Sequence, residues 1–171
     1  MPKASRRNLD FPAEGANLSP AKKHALVAAA AQARRGASAP YSRFKVGAAL
    51  LARSGEMVTG ANVESASYGL TCCAERVALF KALTAGHKDL TAIAVVARAP
   101  GGAMPCGACR QLLAEYAPRA VVWVADSSAL QVVKEFSVRA LLPRAFVAPA
   151  PRKIQIEKRG RVRKLRLESV R

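Results

Sequence analysis

The sequence predicts an α/β domain on three observations: helix-period segments alternate with short apolar runs of strand type, caps and glycines punctuate them, and 51% of the 171 residues are hydrophobic, enough for one core. The first element is a helix from Pro20 to about Arg35, with Ser19 as N-cap, Pro20 at the first helical position and Gly36 as its stop. Phe44 to Ala52 and Met57 to Val63 bracket Arg53-Ser54-Gly55-Glu56, the pattern of a hairpin with a four-residue loop. Cys73 to Ala85 shows helical spacing at Val77, Ala78, Phe80, Lys81 and Leu83 and ends at Gly86. Leu90 to Ala97 reads as a strand buried on both faces. Gly107 to Tyr116 is a third helix, and Ala120 to Ala125 a β-branched strand with Trp123 in the core. A short fifth strand is placed at Leu130 to Lys134.

Charge divides the chain further. Twenty-eight Lys and Arg against eleven Asp and Glu give a formal +17, and +7 of this sits in residues 152–171. The Pro/Ala stretch Ala148 to Pro151 marks a boundary, so the expected organisation is an N-terminal extension (1–18), a globular domain (19–148) and a basic tail (149–171). The tail reads either as a solvated extension or peripheral hairpin, since its apolar residues partly alternate, or as a weak, non-specific nucleic-acid contact. It holds no aromatic side chain on which bases could stack, which argues against base-specific capture. No apolar stretch approaches the roughly 18 residues of a membrane span, and Met1 to Pro20 lacks the apolar region of a secretory signal. A cytoplasmic chain without membrane attachment is expected.

All four cysteines lie at two strand-to-helix junctions, Thr71-Cys72-Cys73-Ala74-Glu75-Arg76 and Pro105-Cys106-Gly107-Ala108-Cys109-Arg110. Cys106 and Cys109 are one helical turn apart, so both sulfurs can face one point, and thiolates at a helix start are favoured by its free N–H groups. Alone, that pair is equally a redox CxxC or half of a structural zinc site. With Cys73 as a third ligand one zinc position stays open, the mark of a catalytic site. Glu75, two residues beyond Cys73, could then serve as a proton shuttle without ligating the metal. Cys72 reads as a small buried hydrophobe, and His24 and His87 as surface residues.

A zinc-binding Cys or His followed by x-Glu, and later Pro-Cys-x-x-Cys, is the known arrangement of zinc-dependent base deaminases. The chain resembles the cytidine deaminase family, in particular the small free-nucleoside deaminases with three cysteine ligands. The likeness covers about Ala39 to Phe146 through five motifs in order: the run Ala39 to Leu50, Thr59 to Gly69, Cys73-Ala74-Glu75-Arg76, Pro105 to Gln111, and Leu141-Leu142-Pro143-Arg144-Ala145-Phe146. The resemblance implies a five-stranded mixed sheet flanked by helices in three layers, one zinc ion per subunit and a homotetramer. It implies zinc-dependent hydrolysis of cytidine and 2′-deoxycytidine to the uridine products in pyrimidine salvage. It further implies that Phe44 packs on the base, that Asn62 and Glu64 bind the ribose hydroxyls, and that the Ala74 backbone with Glu75 reads the base edge. Arg76 then donates to the zinc thiolates, and Phe146 reaches a neighbouring subunit's pocket. Arg76 also has a rationale of its own, because Zn²⁺ with three thiolates sums to −1 and needs compensating positive charge.

Two other readings stay open at this level. The +17 charge would suit a polynucleotide cytosine deaminase acting through its basic tail, or a zinc-stabilised nucleic-acid-binding protein without catalysis. Lys45 stands beside Phe44 where many relatives carry proline.

Overall fold

A computed structural model describes residues 18–147. The readings made for the first seventeen residues and for the basic tail lie outside it. Ten elements follow one another: α1 (Pro20–Arg34), β1 (Val46–Ala52), β2 (Met57–Ala61), a 3-10 turn (Tyr68–Leu70), α2 (Ala74–Thr84), β3 (Leu90–Ala97), α3 (Gly107–Tyr116), β4 (Val121–Asp126), β5 (Val133–Ser137) and α4 (Val138–Leu141). The strands form one mixed sheet in the order β2-β1-β3-β4-β5. Only β3 and β4 run parallel, and α3 is the crossover that a parallel pair requires.

Side-chain alternation along the inner strands splits the core in two. Ala48 and Leu50 of β1, Ile93 and Val95 of β3, and Val122 and Val124 of β4 face α2, α3 and α4. Ala49 and Leu51, Ala92, Ala94 and Val96, and Val121, Trp123 and Ala125 face α1. The result is the expected three-layer sandwich with a five-stranded mixed sheet, and its double cover explains why β3 is buried at every position.

The first helix begins where the capping pattern put it: the Ser19 hydroxyl accepts from the Lys22 N–H at 3.3 Å, with Pro20 at N1. Two glycines let helices lie against the sheet. A Cβ on Gly47 would stand 2.1 Å from the Ala30 carbonyl oxygen of α1, and one on Gly60 would stand 2.4 Å from the Ala78 nitrogen and 2.7 Å from the Ala74 oxygen of α2. Gly60 therefore sets how closely the N-terminal half of α2 approaches β2.

Three expectations need correction. The last strand is Val133–Ser137, not Leu130–Lys134. The Asp126 carboxylate accepts from the Ser128 N–H, and turns at Ala129 and Val132 use up the preceding residues, so Leu130 only packs its side chain beneath α1. The buried face of α2 is Ala74, Glu75, Ala78, Leu79 and Ala82, leaving Phe80 and Lys81 exposed, because small residues let the helix settle close to β2. His87 is half-buried against Glu56 at 3.5 Å rather than free on the surface, whereas His24 is exposed. Cys72 is half-buried.

Candidate active site

Two helix starts converge at one edge of the molecule. Cys73 is the N-cap of α2, and Cys106 is the N-cap of α3, with Cys109 one turn into that helix. The Sγ atoms of Cys73 and Cys106 are 3.8 Å apart and those of Cys106 and Cys109 3.6 Å, and all three lie within 4.8 Å of one another. A tetrahedral zinc ion with Zn–S bonds of about 2.3 Å holds its sulfurs about 3.8 Å apart, so the donor set fits zinc in number, chemistry and spacing. Among the described residues this is the one such cluster of metal-ligating side chains.

The thiols are already polarised. Cys73 is drawn down to about 5, chiefly by its hydrogen bond with Cys109, with Arg76 and Cys106 assisting against the opposing effect of burial. Cys109 is held far up, because its proton is the one shared with Cys73 and because it is buried. Arg76 places Nη2 3.7 Å from the Cys73 sulfur and donates from the same nitrogen to the Thr71 carbonyl. Its Nε is a buried donor with no partner, a costly arrangement that an electron-rich thiolate centre beside it would relieve.

Glu75 occupies the first turn of α2 and is 6% exposed. Burial, aided by the Cys73 thiolate, raises its carboxyl above the usual range, with its own backbone N–H and the Cys109 thiol opposing. A shift in that direction suits a carboxyl to accept and return a proton better than an exposed one would. Ala74, fully buried, supplies backbone at the start of the same helix.

Phe44, Asn62 and Glu64 form a second group, tied together through one turn. Glu64 Oε2 accepts from the N–H groups of Tyr41 at 2.9 Å and Ser42 at 3.1 Å, and Oε1 accepts from the Ser42 hydroxyl. The Ser42 oxygen accepts in turn from the Phe44 N–H at 2.9 Å. Arg43 between them is in the left-handed region at φ 57°, a strained state for a side chain of its size that these bonds hold in place. Asn62 is 8% exposed; its Oδ1 accepts from the Val46 N–H at 2.8 Å and its Nδ2 donates to the Phe44 carbonyl at 2.9 Å. That bond uses one of the two Nδ2 hydrogens. Phe44 is thus presented as a 41% exposed ring on a fully braced backbone.

A cavity of about 390 Å³ opens beside Glu64, lined by Tyr41, Ser42, Ser65, Tyr68 and Thr71 as well. Tyr41 and Tyr68 meet edge to face, with ring centroids 6.4 Å apart. Phe146 stands apart from this group: its hydrogen bonds run to Gln111 of α3. Sequence reasoning assigned no role to Ser42, Thr71 or Gln111. Ser42 and Gln111 lie inside motifs whose spacing was legible, but their roles depend on contacts made across the fold.

The comparisons with known proteins agree with this geometry. Residues 20–125 match the family model described as the cytidine and deoxycytidylate deaminase zinc-binding region. The chain is 54% identical over 123 residues to a cytidine deaminase of Halalkalibacterium halodurans, covering 72% of this chain and 92% of that one. It superposes on the crystal structure of a cytidine deaminase from Burkholderia pseudomallei with a TM-score of 0.69 at 50% identity, covering 72% of this chain and 98% of the other. For the cytidine deaminase from Mycobacterium tuberculosis the TM-score is 0.63 at 40% identity, with 72% and 96% covered. A match that starts with α1 and runs into β4, through both cysteine junctions, makes this chain a member of the cytidine and deoxycytidylate deaminase zinc-binding family.

Proposed function

We propose that the chain hydrolyses cytidine and 2′-deoxycytidine to uridine and 2′-deoxyuridine, with Cys73, Cys106 and Cys109 holding zinc and Glu75 moving the protons. The observation that carries the proposal is the buried Glu75 carboxyl two residues beyond a three-sulfur cluster of zinc spacing. Zinc bound there supplies the Lewis acidity that makes water a nucleophile near neutral pH. In the overall reaction a C–O bond forms at C4 of the base, the C–N bond to the exocyclic amine breaks, and ammonia leaves.

The rest falls to the chain's own groups. Glu75 takes a proton from the attacking water, places it on N3 of the base and later delivers one to the departing amine. Its burial keeps bulk water from competing for that proton. Arg76 and the N-termini of α2 and α3 offset the negative charge of three thiolates. Phe44 covers the base with its ring, and Asn62 and Glu64 take the ribose hydroxyls with the remaining amide hydrogen and carboxylate lone pairs. The cavity beside Glu64 gives the sugar room. Phe146 contacts nucleoside in the pocket of a neighbouring copy.

Residues 19–148 form the catalytic domain in this reading, with an extension at either end. The working form is a homotetramer in the cytoplasm, where free nucleosides are met. Exposed Tyr41, Val63, Tyr68 and Leu70 supply apolar surface for subunit contact. No described helix is long and apolar enough to cross a membrane. A polynucleotide substrate is supported by tail charge alone.

The experiment is a substrate comparison with the zinc-loaded full chain. Uridine release from cytidine, and none from cytosine in a single-stranded oligonucleotide at low salt, is expected. Conversion of the oligonucleotide with cytidine untouched would overturn the assignment.

A further inference from the structure

Phe146 is 72% exposed, yet its backbone is held at two points by one side chain. Gln111 Nε2 donates to the Phe146 carbonyl at 2.8 Å, and the Phe146 N–H donates to Gln111 Oε1 at 3.2 Å. A single amide thus pairs with both polar groups of one residue, as a neighbouring strand would, and fixes the orientation of that residue's backbone. Gln111 stands in α3 two residues after Cys109, on the helix that carries two of the three sulfurs. Its neighbour Arg110 secures the same segment further back, donating from Nη1 to the Leu141 carbonyl at 3.3 Å and from Nε to the Pro105 carbonyl at 2.7 Å.

This bracing serves no core, because the ring it fixes is mostly in solvent. Holding a long side chain at a half-buried position costs rotamer entropy, and exposed hydrogen bonds return little of it. We propose that Gln111 is a positioning residue: its amide clasp, anchored in the helix that bears Cys106 and Cys109, aims the Phe146 ring outward for nucleoside contact. The inference rests on the function proposed above and adds to it the residue that sets the ring's placement.

Two measurements on the zinc-loaded full chain test it. Gln111→Met, which keeps side-chain length and removes both hydrogen bonds, is expected to speed amide hydrogen exchange at Phe146 by about tenfold or more while β3 stays protected. Unchanged exchange at Phe146 overturns the clasp. In cytidine kinetics, Phe146→Ala and Gln111→Met are each expected to raise KM about five- to tenfold with kcat within about twofold, and the double variant to be no worse than either.

A Phe146→Ala defect that Gln111→Met does not share, or that adds to it in full, overturns the proposal while leaving the role of Phe146 intact. A wild-type KM in Phe146→Ala removes the nucleoside role of Phe146 and the proposal with it, while turnover itself still stands for the general assignment. Gln111→Glu sets a carboxylate oxygen against the Phe146 carbonyl in place of the donor, so its KM is expected to rise at least as far as in Gln111→Met. Should Gln111→Met not fold, Gln111→Glu carries the same comparison, and a wild-type KM there beside an impaired Phe146→Ala overturns the proposal.

Discussion

The side-chain amide of Asn62 donates to the Phe44 carbonyl oxygen at 2.9 Å, so a buried residue just past β2 sets the backbone of an exposed ring. Its other end receives the Val46 N–H at 2.8 Å, which makes Asn62 a stand-in for a strand neighbour just before β1 begins. Asn62→Ala leaves that N–H and carbonyl without partners. A loss of about 1–3 kcal/mol in stability and a higher KM for cytidine are expected. Asn62→Asp keeps the acceptor for Val46 but turns a carboxylate oxygen toward the Phe44 carbonyl at a buried position, so it should be no more stable than Asn62→Ala. Urea denaturation and steady-state kinetics on the two variants check this, and equal stability of wild type and Asn62→Ala would contradict it.

Glu64 gives a pH dependence of stability. Its carboxyl lies below the ordinary value, first because of the Ser42 hydroxyl and then the Ser42 and Tyr41 N–H groups, against the opposing effect of burial. A carboxylate with a depressed native pKa contributes fully above the unfolded value, and its contribution is lost as pH falls through the native value. The stability that Glu64 contributes therefore has an acid limb below the ordinary carboxyl value, which urea denaturation as a function of pH reads. Ser42→Ala removes the largest cause and should move that limb to higher pH. A profile that coincides with wild type would show that Ser42 does not control the Glu64 carboxylate.

Gly60→Ala tests how α2 is seated. The new Cβ meets backbone atoms of Ala78 and Ala74, which cannot swing aside as a side chain could. A cost of about 1–3 kcal/mol, at the upper end of that range, is expected, with weakened zinc retention because Cys73 caps the same helix. Gly69→Ala, where a Cβ meets nothing within 4 Å, is the control and should stay near wild type. Thermal melts and zinc content decide between them.

The metal trio was legible because its information is local: two cysteines one turn apart and a third at another helix start, with an acid two residues on. The strand order was not local, but the doubly covered β3 announced itself as a run of eight residues that is apolar except at Thr91. The sequence misled where tertiary contact overrides pattern. Lys134 and Glu135 look like the end of a strand, yet they lie inside β5, an edge strand whose exposed face accepts charge. Glu135 even earns its place there by accepting from the Trp123 indole N–H at 2.8 Å and pairing with Lys23 at 3.1 Å. Phe80 fits helical spacing but points outward, because α2 packs on β2 through alanines. The clasps of Asn62 on Phe44 and of Gln111 on Phe146 join residues 18 and 35 positions apart, and no spacing rule connects them.

Glu75→Gln separates chemistry from metal binding. The amide is nearly isosteric and does not touch the three sulfurs' capacity to hold zinc, so zinc content should stay at wild type. The proton shuttle is lost, and kcat for cytidine should fall about 10²- to 10⁴-fold. Atomic absorption alongside an ammonia-release assay reads both. Turnover at the wild-type rate would remove Glu75 from the mechanism.

The most direct test of the whole account is zinc K-edge X-ray absorption on the purified full chain. Three sulfur neighbours at about 2.3 Å and one lighter donor are expected, the signal of a metal held by Cys73, Cys106 and Cys109 with a position left for water. Four sulfur neighbours, with Cys72 drawn in, or a chain that binds no zinc at all, would contradict it.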